Sequence, residues 1–492
     1  MGEQIGLIVR KQEANSTPTI MPSDINTVGM LLDCKRGPLG IPILVTNLTD
    51  AEVAFGGPDN SKFGYYALKG LFENCKEYGA KVYGVRIGGS SPAGTAASYS
   101  LLETAAPVVT LTAAYKNNAD VGTWGNSLKV KVSMSYPGFT LQVLLNDKLV
   151  ETWENITLDV IESKLNNVGT GSRYVRASAV IANPGAHMPD EGTFTLIGGV
   201  DPGASVLGDW GATALAVFDN YPVDIVSFAG PFQGDSLTAN LDTYCAGRGG
   251  DAIGIGCSAY SEDADTVMVT PSASGVSAHY LGWLLVDNGS GGTIWVPPNG
   301  HVIGAGYIRK PMDRGGWPFI APAGYQANIR GIYKVQYPGI DPAKLELMVH
   351  TFRVNAIMNI PGKGNIIRTS CSTNESNKWY SIHTIRLAAY LIKTFKNNCG
   401  WVEQEPNDDI TRGRLRDSII FFMNRLRDAS GFDRHGSLGD NGFLVKCDTE
   451  NNPAEIRNSR QLVCDVLFDP VEVAETVKIN LFNAKGLQIT VE

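Results

Sequence analysis

Apolar and polar positions alternate in different ways along this chain, and each change of pattern predicts a different kind of element. Residues 4–10, Gln-Ile-Gly-Leu-Ile-Val-Arg, place Ile5, Leu7 and Val9 on one face of a short strand. A polar stretch rich in Ser, Thr and Pro then runs to Asp24 and predicts an extended arm or linker. Residues 25–32 and 43–45 predict strands around the turn Arg36-Gly37-Pro38-Leu39-Gly40. Residues 65–77 predict a helix, because Ala67, Leu71 and Cys75 recur every fourth position with Leu68 and Phe72 beside them. Residues 82–87 predict a strand, so the opening is α/β in character.

Between about 100 and 195 the pattern turns to short strands separated by turns: 108–111, 128–133, 140–145, 174–179 and 193–197. This predicts a mostly β unit inserted into an α/β domain. After Gly198-Gly199 helices at 212–220 and 237–248 alternate with strands at 224–228 and 252–257. Residues 297–308 and 317–326 are rich in Gly and Pro and predict loop or strand. The last quarter holds strands at 354–358 and 366–368, then helices at 379–396 and 408–428 split by the connector Glu403-Gln404-Glu405-Pro406-Asn407. Alternating runs follow at 443–447 and 473–481, and a last one places Leu487, Ile489 and Val491 on one face after Gly486. A terminal strand must pair with something, and a second copy of the chain is an obvious partner.

The fold class expected is α/β with mixed sheets, in several domains, with a mostly β insertion and extended terminal β-arms. The expected boundaries are 1–24 for an N-terminal arm, 25–99 plus 196–350 for a middle α/β domain, 100–195 for the insertion, 351–482 for a C-terminal α/β core, and 483–492 for a C-terminal β-arm.

Composition narrows the function. Charged residues make up 18% of the chain, below the roughly 25% of ordinary soluble proteins, and 55 of its 492 residues are glycine. Both suit a protein that covers much of its surface with partners. A net charge of −8 argues against a general nucleic-acid or anionic-membrane binder. The start has no basic and apolar secretory signal, and no apolar run reaches the length of a membrane span. The eight cysteines form no Cys-x-x-Cys pair and do not cluster with the histidines, which predicts buried free thiols and no metal or cofactor.

Few segments could carry chemistry. Gly234-Asp235-Ser236-Leu237 is similar to the nucleophile block of GDSL esterases, but none of the six histidines has an Asp three positions earlier to form the family's base motif. A helix start with a Ser/Thr-type cap explains the tetrapeptide more simply. Gly304-Ala305-Gly306 and Gly362-Lys363-Gly364-Asn365 lack the remaining residues of phosphate loops. Glu403, Glu405, Asp408 and Asp409 precede a helix whose N-terminus they stabilise, with Asn407 or Asp408 as the cap. In that helix Leu415, Ile419, Phe422 and Leu426 form a buried stripe. Arg412, Arg414 and Arg416 form either a solvated, salt-paired face, with Asp408 facing Arg412, or a basic strip facing an acidic partner.

Taken in order, short pieces of the chain resemble the contractile tail sheath proteins of bacteriophages and related injection machines. They include Arg36-Gly37-Pro38, Phe55-Gly56-Gly57, the strand ending in Val85-Arg86, Gly122-Thr123-Trp124-Gly125-Asn126, and Leu196-Ile197-Gly198-Gly199-Val200-Asp201. Pro297-Pro298-Asn299-Gly300 with Gly304, Ala321-Pro322-Ala323-Gly324, Trp379 to Arg386-Leu387, Glu405-Pro406-Asn407 and 443–448 continue the series. The chain departs from the family pattern at Ile385-Arg386, where two arginines are usual, after Leu426, and at Ala474-Glu475-Thr476-Val477.

The resemblance implies a structural protein of the virion without catalytic activity. It implies a homo-oligomer of stacked six-fold rings around an inner tail tube protein, assembled in the host cytoplasm and ending at baseplate and tail terminator proteins, with no direct contact to nucleic acid or membrane. It implies terminal arms, here carrying Ile5, Leu7, Val9, Leu487, Ile489 and Val491, that add strands to neighbouring subunits. The 351–482 domain is expected to face the tube, with Arg412, Arg414 and Arg416 as the contact strip. A bacteriocin or injection-system sheath is the alternative within the same class, and an ester hydrolase using Ser236 is the alternative outside it.

Overall fold

The computed structural model describes residues 19–475 and 477–479. The described residues form two compact units, 22–397 and 19–21 with 398–475 and 477–479. The terminal strands expected at Ile5, Leu7 and Val9 and at Leu487, Ile489 and Val491 lie outside the described residues.

The larger unit is organised by one eight-stranded sheet. Its strands are β1 (Thr27–Leu32), β2 (Ile43–Val45), β3 (Lys81–Arg86), β4 (Ile225–Ala229), β5 (Ile253–Cys257), β6 (Ser277–Leu281), β7 (Val354–Ile360) and β8 (Gly364–Ile367), in the order β8-β7-β6-β5-β4-β1-β3-β2. From β7 to β3 every pairing is parallel, and only the edge strands β8 and β2 run antiparallel. β1, β4, β5 and β6 are buried at every position. Continuous apolar runs rather than alternation follow from cover on both faces.

β7 pairs with β6, His279 facing Val354. The expected boundary at 350/351 therefore falls inside this sheet. Residues 382–397 also belong to the larger unit: on helix α3 (Ile382–Asn398), Arg386 donates to the carbonyls of Ile25 at 2.9 Å and Tyr307 at 2.7 Å. Lys393 pairs with Asp224 just ahead of β4. Periodicity reveals a strand or helix but not its distant partner, which is why the boundary is displaced.

Between β3 and β4 the chain builds two antiparallel sheets on a separate core. One joins Ser98–Glu103, Ala106–Tyr115 and Val175–Ala179, and the other joins Leu128–Ser135, Gly138–Leu145, Lys148–Ile156 and Gly192–Thr195. Leu101, Leu111, Val130, Leu141, Val143 and Leu196 lie at the centre of that core.

The junction between this β unit and the large sheet gathers several of the short sequence patterns. Asp120 is 0% exposed and lies 3.6 Å from Nε of Arg36 and 3.2 Å from Nη1 of Arg86, while both its oxygens accept from the Gly37 amide at 2.9 Å. The Arg36 guanidinium is sandwiched between Trp124 and Tyr174, at 4.0 and 4.8 Å from the ring centroids. Asp201 accepts from the amide and hydroxyl of Thr123 at 3.0 and 2.7 Å, and Asn126 makes two bonds to the backbone of Gly199. Gly122, at φ +136°, has the backbone conformation that lets this turn form.

One segment differs from its sequence expectation. Residues 299–313 are helical throughout, as Asn299–Val302, a π-helical Ile303–Arg309 and Lys310–Asp313. Glycine lowers helix propensity, so the pattern predicts loop or strand. Here the glycines serve packing. A Cβ on Gly300 would collide with the carbonyl of Ala67, and one on Gly304 with that of Leu71, both on the facing helix α1 (Gly64–Asn74). Gly70 of α1 in turn gives way to the His301 ring. Propensity alone predicts that Gly300→Ala stabilises by up to about 1 kcal/mol. The packing predicts a loss of about 1–3 kcal/mol instead, and the sign of the shift in a urea unfolding midpoint decides between them.

Candidate functional site

The smaller unit is assembled around helix α4 (Asp409–Asp428) and one hairpin. Asp408 caps the helix, its carboxylate accepting from the Thr411 amide at 2.8 Å. That backbone bond holds the Asp408 carboxyl below its usual range. Leu415, Ile419, Phe422 and Leu426 are all buried, joined by Met423, so the expected stripe is the packing face.

The arginines of α4 divide. Arg412 is not on a solvated face. It is buried, donates to the backbone and side-chain oxygens of Asn407 at 2.9 and 2.6 Å, and pairs with Asp409 instead of Asp408. Position 412 shares a side of the helix with Leu415 and Ile419, and that places it inward. Arg414 and Arg416 are both half-buried, and the Arg416 side chain, 41% exposed, pairs with Asp417. Of these three, Arg414 and Arg416 can reach a partner without unfolding the first turn.

The hairpin pairs β9 (Phe443–Lys446) with β10 (Asp465–Phe468) antiparallel, in the register Phe443↔Phe468, Leu444↔Leu467, Val445↔Val466 and Lys446↔Asp465. Phe443 and Val445 point inward, and Phe443 and Phe468 flank the Phe432 ring at 5.7 and 6.2 Å. Leu444 and Leu467 face each other on the outer side, 50% and 46% exposed. Among the described residues neither strand has a second ladder neighbour. Residues 473–475 and 477–479, expected to be part of a strand, carry no ladder, and Val477 and Ile479 are 75% and 79% exposed. Alternation supplies the side chains of a strand, but a strand forms only against a partner edge, and 473–475 and 477–479 are paired with none.

The remaining chemical candidates are not brought together. Ser236 is exposed in the first turn of helix α2 (Asp235–Gly247), and Gly234, not a serine, occupies the cap position. Nδ1 of the buried His279 bonds Oγ1 of Thr238 at 2.8 Å, and burial pushes this imidazole down to about 3. Among the described residues no group of His, Cys, Asp and Glu is arranged to hold a metal ion, and no helix is long and apolar enough to cross a membrane. All eight cysteines are free thiols.

Residues 374–482 match the phage tail sheath C-terminal domain family. A tail sheath protein of Vibrio phage KVP40 is 21% identical over 271 residues, 54% of this chain but 38% of that protein, so the match spans less than half of this relative. The sheath tail protein of Listeria innocua superposes with a TM-score of 0.59 at 14% identity, covering 88% of this chain and 90% of its own. The contracted helical sheath of the anti-feeding prophage superposes with a TM-score of 0.58 at 13% identity, covering 98% and 99%. The chain thus has the fold of tail sheath proteins, a mixed α/β architecture, and its likeness to them extends to sequence, including residues 374–482.

Proposed function

We propose that this chain is the sheath subunit of a contractile tail, polymerising in stacked six-fold rings around an inner tube and contracting to drive that tube through an envelope. The observation that carries this reading is the hairpin β9–β10. An isolated two-stranded hairpin is marginal in water, and open edges are templates for another strand. Here the edges come with an outward apolar pair, Leu444 and Leu467. Strands carrying Ile5, Leu7 and Val9 from one neighbour and Leu487, Ile489 and Val491 from another would complete a sheet by β-augmentation. The polar stretch up to Asp24 would hinge while the strands stay paired, letting subunits rotate outward without breaking the mesh. The partners in this reading are other copies, the inner tube protein, and the baseplate and terminator proteins; the site of action is the virion or an equivalent particle, built in the host cytoplasm. The protein's role is mechanical, not enzymatic.

In this reading Arg414 and Arg416 of α4 meet the tube. Charge reversal at both is expected to lower co-sedimentation of the chain with tube protein several-fold and leave its circular dichroism unchanged. Unchanged co-sedimentation would make them an ordinary solvated face. Purified full-length chain is expected to form tubes visible by negative stain. Ester hydrolysis abolished by Ser236→Ala would favour the rival reading instead.

A further inference from the structure

Continuing the register of β9 and β10 by one position places Cys447 opposite Cys464. Cys447 has the same parity as the inward residues Phe443 and Val445 and is 1% exposed, while Cys464 is half-buried. Their positions are fixed on both sides. Nδ2 of Asn451 donates to the carbonyl of Lys446 at 2.7 Å, one residue before Cys447. The buried Asn452 side chain makes two bonds to the backbone of Val463, at 2.8 and 2.7 Å, one residue before Cys464. Directly opposed residues in an antiparallel ladder have Cα atoms about 4.5–5.5 Å apart, inside the window of about 4.4–6.8 Å that a disulfide spans.

We infer that Cys447 and Cys464 are a redox-active dithiol that closes to a cross-strand disulfide when a peroxide reaches it. The two thiols have different electrostatic surroundings. A hydrogen bond from Cys464 holds Cys447 below the usual thiol range, aided by Arg412 and Arg416, and the same contact pushes Cys464 up. Thiolate character beside cationic groups marks a reactive cysteine, and a neighbouring thiol can resolve the oxidised product. The Cys447 thiolate attacks one oxygen of hydrogen peroxide and becomes a sulfenic acid. The hydroxide released takes up the proton that Cys447 lost on ionisation and leaves as water. Cys464 then attacks Sγ of Cys447, its proton leaving with the sulfenic oxygen as a second water. In sum two thiols are oxidised to one disulfide and one peroxide is reduced to two waters. The bond closes the loop 448–463 and locks the end of the hairpin, and it does so whether or not the hairpin receives strands from other subunits.

The test uses reduced full-length chain, treated with hydrogen peroxide, alkylated, and digested without reductant for mass spectrometry. The expected product is a peptide pair joined through Cys447 and Cys464, with both thiols lost to alkylation and recovered on adding dithiothreitol. Cys399→Ser is expected to leave that product unchanged. In Cys464→Ser, with folding verified by circular dichroism, dimedone is expected to trap a sulfenic acid on Cys447. Persistent alkylation of both thiols, a Cys399–Cys464 link in place of the expected one, or a stable sulfenic acid in the unsubstituted chain would overturn the inference.

Discussion

Asp120→Ala is expected to destabilise the larger unit by about 3–5 kcal/mol, the cost of breaking a buried ion pair by removing one partner. Arg36 and Arg86 would both remain buried, at 4% and 2% exposure, with no carboxylate between them. The amide of Gly37 would also lose its acceptor. Asp120→Asn keeps an acceptor for that amide but not the charge, so a smaller loss is expected. The effect should be structural as well as energetic. Asp120 ties the turn at Arg36-Gly37, the end of β3 at Arg86 and the start of the Trp124 turn to one another, so its removal should loosen the β unit from the sheet. Urea unfolding followed by tryptophan fluorescence reads both, since Trp124 stacks on Arg36 within this cluster. A midpoint shift equivalent to less than about 1 kcal/mol would show that solvent or another group replaces the carboxylate.

Removing residues 487–492 is expected to leave a folded monomer that does not polymerise. A strand of this length contributes about four inter-subunit hydrogen bonds at roughly 0.5–1.5 kcal/mol each. A loss near 4 kcal/mol raises the concentration needed for polymerisation by about a thousandfold, because each 1.4 kcal/mol is a factor of ten. The effect extends along the whole polymer, since every subunit uses the same linkage. Leu444→Lys combined with Leu467→Glu attacks the same contact from the receiving side. Opposite charges facing across the ladder keep the hairpin paired, and surface substitutions of this kind change stability by about 0.5 kcal/mol or less. Both variants should sediment as monomers with ordinary circular dichroism where the unsubstituted chain sediments as polymer. Polymer formed by both at normal concentration would remove the hairpin from the account.

How much of this was legible in the sequence depends on the range of the interactions involved. The stripe of α4 was readable, and its cap was narrowed to Asn407 or Asp408, because both features are local, set by helical spacing and by polar residues just before the helix. Arg36, Arg86, Trp124 and Asp201 were readable as pieces of ordered short patterns, and the structure collects them at one junction. Asp120, the carboxylate that joins Arg36 to Arg86, was not: a single acid between Ala119 and Val121 has no periodic signal, and its partners lie far away in sequence. The helix at 299–313 was hidden because its glycines satisfy a facing backbone rather than a turn. Charge pattern puts Arg412 on the exposed face, whereas the Asn407 oxygens draw it inward. The opposition of Cys447 and Cys464 follows from strand register alone, which no spacing rule reveals.

The claim most in need of a direct test is that strands from other copies complete the hairpin β9–β10. A helical cryo-EM reconstruction of the purified polymer tests it at the level of backbone. Added strands are expected, hydrogen-bonded along the free edges of β9 and β10 and carrying the side chains of residues 5–9 and 487–491 from two different neighbours. A polymer whose subunits touch only through side chains, with both edges of the hairpin unpaired, would contradict it.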